Sequence, residues 1–201
     1  LFELDLNVLC KGSITGIGTS LCEWPEVPSA QITHHTSAIE QLSAYLLAQN
    51  FNIHIICHRV VHGGDKFASP TPISAVVLDE LEKLNPLAPL HNPVQHKAIK
   101  LAIKVFPKAK QIAFFDTSFH QTMADTQKII PIDVAKEVKN YGFHGLNYAF
   151  IAEELAKINN KQVTAIICHL GNGASICALK NGKSYATSMG MTPNSGLIMG
   201  T

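Results

Sequence analysis

Apolar positions along this chain switch repeatedly between a period of two, which suits strands, and a period near 3.6, which suits helices. Residues 2–9 alternate, with Leu4 and Leu6 on one face, and residues 10–18 carry Gly12, Gly16 and Gly18, as a hairpin leading to a second strand would. Pro25 and Pro28 make 24–29 a loop. In 36–50, Ile39, Leu42, Leu46 and Leu47 fall at helical spacing behind a capping Thr36. Ile and Val crowd 52–62, which predicts a buried strand ended by His62-Gly63-Gly64-Asp65. A short amphipathic helix over 74–85 stops at Pro86, and the three prolines of 85–93 make that stretch irregular. A helix over 94–106 leads to a short buried strand, 112–115, that ends at Asp116. Residues 117–132 read as loop, 145–158 as helix and 163–168 as a buried strand. Strands at 176–179 and 183–186 flank Asn181-Gly182, a type I′ hairpin signal, and 189–201 is loop. Hairpins beside strand–helix–strand units predict an α/β fold with a mixed sheet and a domain boundary near 116–121.

Composition narrows the class. A 46% apolar content in 201 residues supplies ample core material. No uninterrupted apolar run approaches the ~20 residues of a membrane-spanning helix. A formal net charge of +1 gives neither a nucleic-acid footprint nor attraction to a membrane surface. The five cysteines (Cys10, Cys22, Cys57, Cys168 and Cys177) form no CxxC pair, and three lie inside apolar runs as small core residues. A reducing, cytosolic protein with no disulfide framework and no signal peptide is expected. The pattern begins mid-strand at Leu1 and stops at Thr201 after a Gly-rich run, so a piece of a longer protein is expected.

Candidate chemistry gathers at strand ends. Arg59 is the sole arginine among 16 basic residues and closes an apolar strand. A guanidinium offers a planar, bidentate fork for carboxylate or phosphate that Lys cannot replace; the plainer alternative is a structural Arg paired with a buried carboxylate. Asp116 ends the next strand, where open α/β sheets bind ligands, and suits a Mg-phosphate centre or a turn. His169-Leu170-Gly171-Asn172-Gly173-Ala174-Ser175 follows a strand with glycines that admit close phosphate approach, or that form an ordinary turn. It is neither a Walker motif nor a dinucleotide fingerprint, since Gly182-Lys183-Ser184 lacks its leading glycine at Cys177 and Ile176 replaces the third. His144, between Gly142 and Gly145 at a helix start, could donate to phosphoryl charge or sit buried against a carbonyl. His58 and His62 have helical zinc spacing but fall on a strand with no third ligand. His34-His35 reads as surface loop, and 87–93 as a rigid turn able to line a small pocket.

Six segments in order resemble the acetate/propionate kinase family across essentially the whole chain. They are His58-Arg59-Val60-Val61-His62-Gly63-Gly64, Ala88-Pro89-Leu90-His91-Asn92-Pro93, Phe115-Asp116-Thr117-Ser118-Phe119-His120-Gln121-Thr122-Met123, Tyr141-Gly142-Phe143-His144-Gly145, His169-Leu170-Gly171-Asn172-Gly173 and Thr187-Ser188-Met189-Gly190-Met191-Thr192-Pro193. The resemblance implies a duplicated sugar-kinase/actin/Hsp70-like (ribonuclease H-like) fold, truncated at both ends. Residues 1–117 would be an N-terminal actin-like domain without its first strand and phosphate loop, and 118–201 the start of a second. It implies reversible in-line transfer of the ATP γ-phosphoryl group to acetate, with Mg2+ (or Mn2+), in a cytoplasmic homodimer that binds neither nucleic acid nor membrane. Arg59 would bind the carboxylate and the transferring group, Asp116 would act at the metal-phosphate centre, and His144 would stabilise the phosphoryl charge. Val61, Leu90, Phe143 and Pro193 would form the pocket for the substrate methyl, and His169, Leu170, Gly171, Asn172 and Gly173 a phosphate loop. Further metal ligands and a second arginine would lie outside this chain, so the 201 residues alone are expected to be inactive. Propionate transfer and a non-catalytic nucleotide-binding relative are the alternatives, with Val61 favouring acetate. One departure stands out: the family continues Phe-His-Gly-x-Ser-His, and here Asn147 and Tyr148 occupy the last two places. A Tyr can donate a hydrogen bond there but cannot carry positive charge.

Overall fold

The computed structural model describes residues 8–9, 11–19, 22–24, 32–133 and 138–200. The strand expected over 2–9 and the loop over 24–29 lie almost wholly outside these. Contacts divide the chain into two compact units, Leu1–His54 with Lys97–Ala109, and Ile55–His96 with Lys110–Thr201.

In the first unit Thr15 and Glu23 exchange both backbone hydrogen bonds at 3.0 Å, an antiparallel bridge around the expected turn. Helix α1 (His35–Ala48) follows. Its cap is His34 rather than Thr36: the Ser37 amide donates to His34 Nδ1 at 3.0 Å, and the Ser37 hydroxyl closes a reciprocal capping box. The His34-His35 pair is therefore a helix start, not a loop, because an imidazole nitrogen satisfies an otherwise orphaned amide as a hydroxyl would. Ala38 from this helix packs with Trp24 and Ile32, and Tyr45 meets Trp24 edge-on.

The second unit opens with β1 (Ile55–Val60) and β2 (Thr71–Pro72), then α2 (Ala75–Lys83), capped by the Ser74 hydroxyl. Pro86 lies in the 3-10 turn Asn85–Leu87, which follows α2 directly. Helix α3 (Asn92–Val105) begins in this unit and ends in the other. Strand β3 (Lys110–Phe115) pairs parallel with β1 and antiparallel with β2, giving the mixed sheet β1-β3-β2. The stretch expected as loop over 117–132 holds a 3-10 turn, Ser118–Thr122, and the short α4 (Asp125–Lys128). Helix α5 (Gly145–Asn159) precedes an antiparallel sheet of β4 (Ala165–Leu170), β5 (Ala174–Lys180) and β6 (Lys183–Thr187). The β5–β6 turn places both Asn181 and Gly182 at positive φ, as type I′ geometry requires.

Two strands expected to be buried are packed on one face only. In β1, Ile55, Cys57 and Arg59 are exposed, and in β4, Ile166, Cys168 and Leu170 are. A run apolar at every position hides which face is covered, and here no described element covers the second. Of the three cysteines assigned to the core, only Cys177 is there; Cys57 and Cys168 are exposed free thiols.

Two core histidines are held neutral. His62 stacks edge-on against Tyr141 and Phe143, and its Nδ1 accepts from the Gly64 amide. His120 is fully buried, bonded to Ser184 Oγ at 2.7 Å and the Phe143 carbonyl at 2.9 Å. Burial pushes both from 6.5 down to about 4. Between those values the unfolded chain binds more protons than the fold, so stability falls as pH drops through that window. A urea midpoint that decreases steadily from pH 7 to pH 5 is expected; one that stays level contradicts neutral burial of these rings.

Candidate active site

Parallel pairing of β1 with β3 sets Arg59 opposite Phe114 and Val60 opposite Phe115. Asp116 is one residue further, and its amide donates to the Val60 carbonyl at 3.0 Å. That extension brings its carboxylate under the guanidinium. Arg59 Nε donates to Asp116 Oδ1 at 3.1 Å and Nη2 donates to Oδ2 at 2.6 Å. The pair is lopsided: the Arg59 side chain is 58% exposed and that of Asp116 is 2% exposed. Hydrogen bonding to Asp116 raises the Arg59 pKa above its ordinary value, against the opposing pull of burial. Thus the structural alternative weighed for Arg59 is realised, while the rest of its donor fork faces solvent. Both strand-end candidates form one bidentate unit.

His144 sits at the N-terminus of α5 in left-handed backbone geometry, φ 59°. A non-glycine residue there costs on the order of 1 kcal/mol, and such strain gathers at functional positions. What fixes this geometry is the next residue. The Gly145 amide donates to the Asp116 carbonyl at 2.8 Å, and a Cβ on Gly145 would collide with that oxygen and lie 2.9 Å from Phe119 Cβ. Helix α5 is therefore pinned to the end of β3. The His144 ring stacks on His169 with centroids 4.0 Å apart, and its Nδ1 is 2.8 Å from Ser175 Oγ. Burial, then the neighbouring His169, hold it at about 4, against the pull of Asp116. Among the described residues no carbonyl bonds this ring, unlike that of His120, which sequence reasoning did not single out.

The apolar candidates divide. Val61 and Phe143 are buried in one cluster with Ala88, Tyr141 and Met189, with Met199 against it. Leu90 is 76% exposed and Pro193 half-buried, and neither belongs to that cluster. The expected phosphate loop is shorter than predicted. His169 and Leu170 are still in β4, paired with Ser175 and Ala174 of β5, which leaves only Gly171–Gly173 as the turn. That turn joins two strands, so its amides are not backed by a helix dipole. The Gly171 amide is engaged by the Gly173 carbonyl, and the Asn172 carbonyl accepts from Gly200.

His58 bonds Gln111 at 2.7 Å and His62 is in the core. Among the described residues no group of three or more His, Cys, Asp or Glu could hold a metal ion. Asp116 belongs to no such group, and both its oxygens already accept from Arg59, so a cation beside it would be held mainly by phosphate oxygens and water, as Mg2+ commonly is.

Sequence reasoning missed the residues that hold the candidates. Gln95 Oε1 accepts from the Val61 amide, Asn92 accepts from and donates to the His62 backbone, and Thr117 Oγ1 accepts from the Gly63 amide. Gln95 lies outside the quoted motif segments and Asn92 and Thr117 lie within them without an assigned role, and each is 30 or more positions from its partner. Ser175 lay within a quoted motif, yet its partners are 27 and 31 residues away.

Known proteins resemble this chain in sequence and in fold. The model of the Acetokinase family matches residues 22–201. An acetate kinase of Borrelia hermsii is 46% identical over 184 residues, which is 85% of this chain and 45% of the relative. A solved propionate kinase from Francisella tularensis superposes with a TM-score of 0.85 at 37% identity, over 94% of this chain and 53% of its own. The solved acetate kinase of Porphyromonas gingivalis gives 0.85 at 32% identity, over 100% of this chain and 56% of its own. The chain spans about half the length of the relatives it matches.

Replacing Gly145 by Ala should cost about 2 kcal/mol or more through overpacking. Gly171→Ala should cost much less, since its Cβ would meet only the Gly173 carbonyl at 3.4 Å. Urea midpoints compare the two; equal midpoints would mean that α5 is not pinned at Asp116.

Proposed function

This chain belongs to the acetokinase family, and from that premise we propose that the complete protein moves the γ-phosphoryl group of ATP reversibly to acetate, giving acetyl phosphate and ADP. The observation that carries this reading is the half-exposed Arg59 fork held rigid by buried Asp116, close enough to His144 that both influence its proton affinity. Phosphoryl transfer asks a protein for alignment and for positive or donor groups around the equatorial oxygens, and for little covalent chemistry. An acetate carboxylate is already ionised at neutral pH and needs no general base.

In this reading the free edge of the Arg59 guanidinium binds the acid carboxylate and the transferring group. His144, neutral at pH 7, donates a hydrogen bond to the phosphoryl oxygens. Asp116 would help to hold Mg2+ (or Mn2+), which supplies charge neutralisation when bound. The Gly171–Gly173 turn, with His169, would lie along the ATP phosphates. Val61 and Phe143 would line the methyl pocket, with Leu90 and Pro193 at its edge. The partition at 117/118, a cytoplasmic homodimer, and activity that requires residues beyond these 201 are parts of the same proposal. Among the described residues no helix is long and apolar enough to cross a membrane.

Propionate is the second substrate considered, because one solved relative is described as a propionate kinase. Buried Val61 argues for the shorter acid, although one methylene changes specificity by only about 10- to 200-fold.

The test is acyl phosphate formation by the complete protein with Mg-ATP and either acid, trapped by hydroxylamine. A higher kcat/KM for acetate is expected, and Arg59→Ala should lower it by at least about 100-fold. A preference for propionate changes the substrate. Activity that survives in the variant removes Arg59 from the mechanism. ATP binding without turnover of either acid supports a non-catalytic relative.

A further inference from the structure

Asn147 and Tyr148 stand where the related motif has Ser and His, and the function proposed above gives neither of them a task. Tyr148 is fully buried, and its hydroxyl is 2.5 Å from Ser175 Oγ. Ser175 is itself fully buried and lies 2.8 Å from His144 Nδ1. These three atoms form a closed chain in which every proton must find an acceptor, because a buried donor left without one costs more than a hydrogen bond gains.

The direction of the chain follows from its far end. Among the described residues the one acceptor within hydrogen-bond reach of the Tyr148 hydroxyl is Ser175 Oγ. If Ser175 gave its proton to the Tyr148 oxygen instead, the phenolic proton would have no partner in a site closed to water. Tyr148 must therefore donate to Ser175, and Ser175 to His144. A nitrogen that accepts carries no proton, so the neutral His144 ring bears its proton on Nε2. That nitrogen faces the turn between β4 and β5: a Cβ on Gly173 would lie 3.3 Å from it. His144 is neutral at pH 7, held at about 4, so the choice of tautomer decides whether it can donate towards the turn at all.

We propose that Tyr148 is a positioning residue for His144: acting through Ser175, it fixes the imidazole as the tautomer that presents an Nε2–H donor to the Gly171–Gly173 turn. A phenol does this at any pH near neutrality. An imidazole in the same place would exist in two tautomers and could gain a charge. The catalytic consequence rests on the phosphoryl-transfer reading, while the tautomer itself does not.

The experiment uses the complete protein with 15N-labelled histidine. Nitrogen shifts of His144 report which ring nitrogen carries the proton, and acyl phosphate assays run beside them. Wild type should show a protonated Nε2 and a bare Nδ1. In Tyr148→Phe, which keeps the ring volume, Ser175 loses its incoming donor and can accept from Nδ1–H, so a mixture of tautomers is expected. The kcat should then fall about two- to tenfold, the range of one neutral hydrogen bond, with both KM values unchanged. Tyr148→His, whose ring donates to Ser175 in only one of its tautomers, should recover both readouts in part. A wild-type proton on Nδ1, a tautomer ratio unmoved by Tyr148→Phe, or a kcat that does not follow that ratio overturns the proposal. If wild type makes no acyl phosphate, the proposed function fails, and the nitrogen shifts alone decide the role of Tyr148.

Discussion

A carboxylate that is 2% exposed at the end of a parallel strand pair must be neutralised where it sits, and Arg59 does this with two hydrogen bonds. Much of the site is organised around that requirement. The β1–β3 register brings the guanidinium over Asp116, and the Asp116 backbone carries the next link. Its carbonyl receives the Gly145 amide, so the start of α5 and the strained His144 are fixed to the strand end. From the other side the Phe143 carbonyl is bonded by buried His120, which in turn bonds Ser184 of β6. The two sheets of the second unit thus meet at one buried acid and one strained histidine.

Local features of the fold were legible where local chemistry decides them. The short helix expected over 74–85, the helix over 145–158 and the type I′ turn at Asn181-Gly182 follow from propensity and turn geometry within a few residues. The Thr36 cap was misjudged because two adjacent histidines and a threonine compete, and only three-dimensional placement shows that His34 faces the Ser37 amide. Burial of β1 and β4 was over-read for a different reason. Periodicity reports how many faces are apolar, whereas exposure of Ile55 and Ile166 depends on what lies across the sheet. The two-residue β2 is too short to have a period.

Arg59, Asp116 and His144 could be picked out by residue type and by position at element ends. That the first two bind each other across 57 residues could not, nor could the chain from Tyr148 through Ser175. Such links depend on topology, and no window of sequence contains both ends. The departure at Asn147-Tyr148 shows the converse. Seen in sequence it is a lost charge; in the fold Tyr148 closes a proton-ordered chain and Asn147 Oδ1 meets His169 Nδ1 at 3.0 Å.

The central claim is that Arg59 and Asp116 act as one unit, and a double-mutant cycle measures this directly. Arg59→Met, Asp116→Asn and the double variant of the complete protein would be unfolded in urea at pH 7. Because one partner faces solvent, a coupling of about 1–2 kcal/mol is predicted, below the full worth of a buried charge-assisted pair. Additive effects, with coupling near zero, would contradict the account by showing that the buried carboxylate does not depend on this arginine.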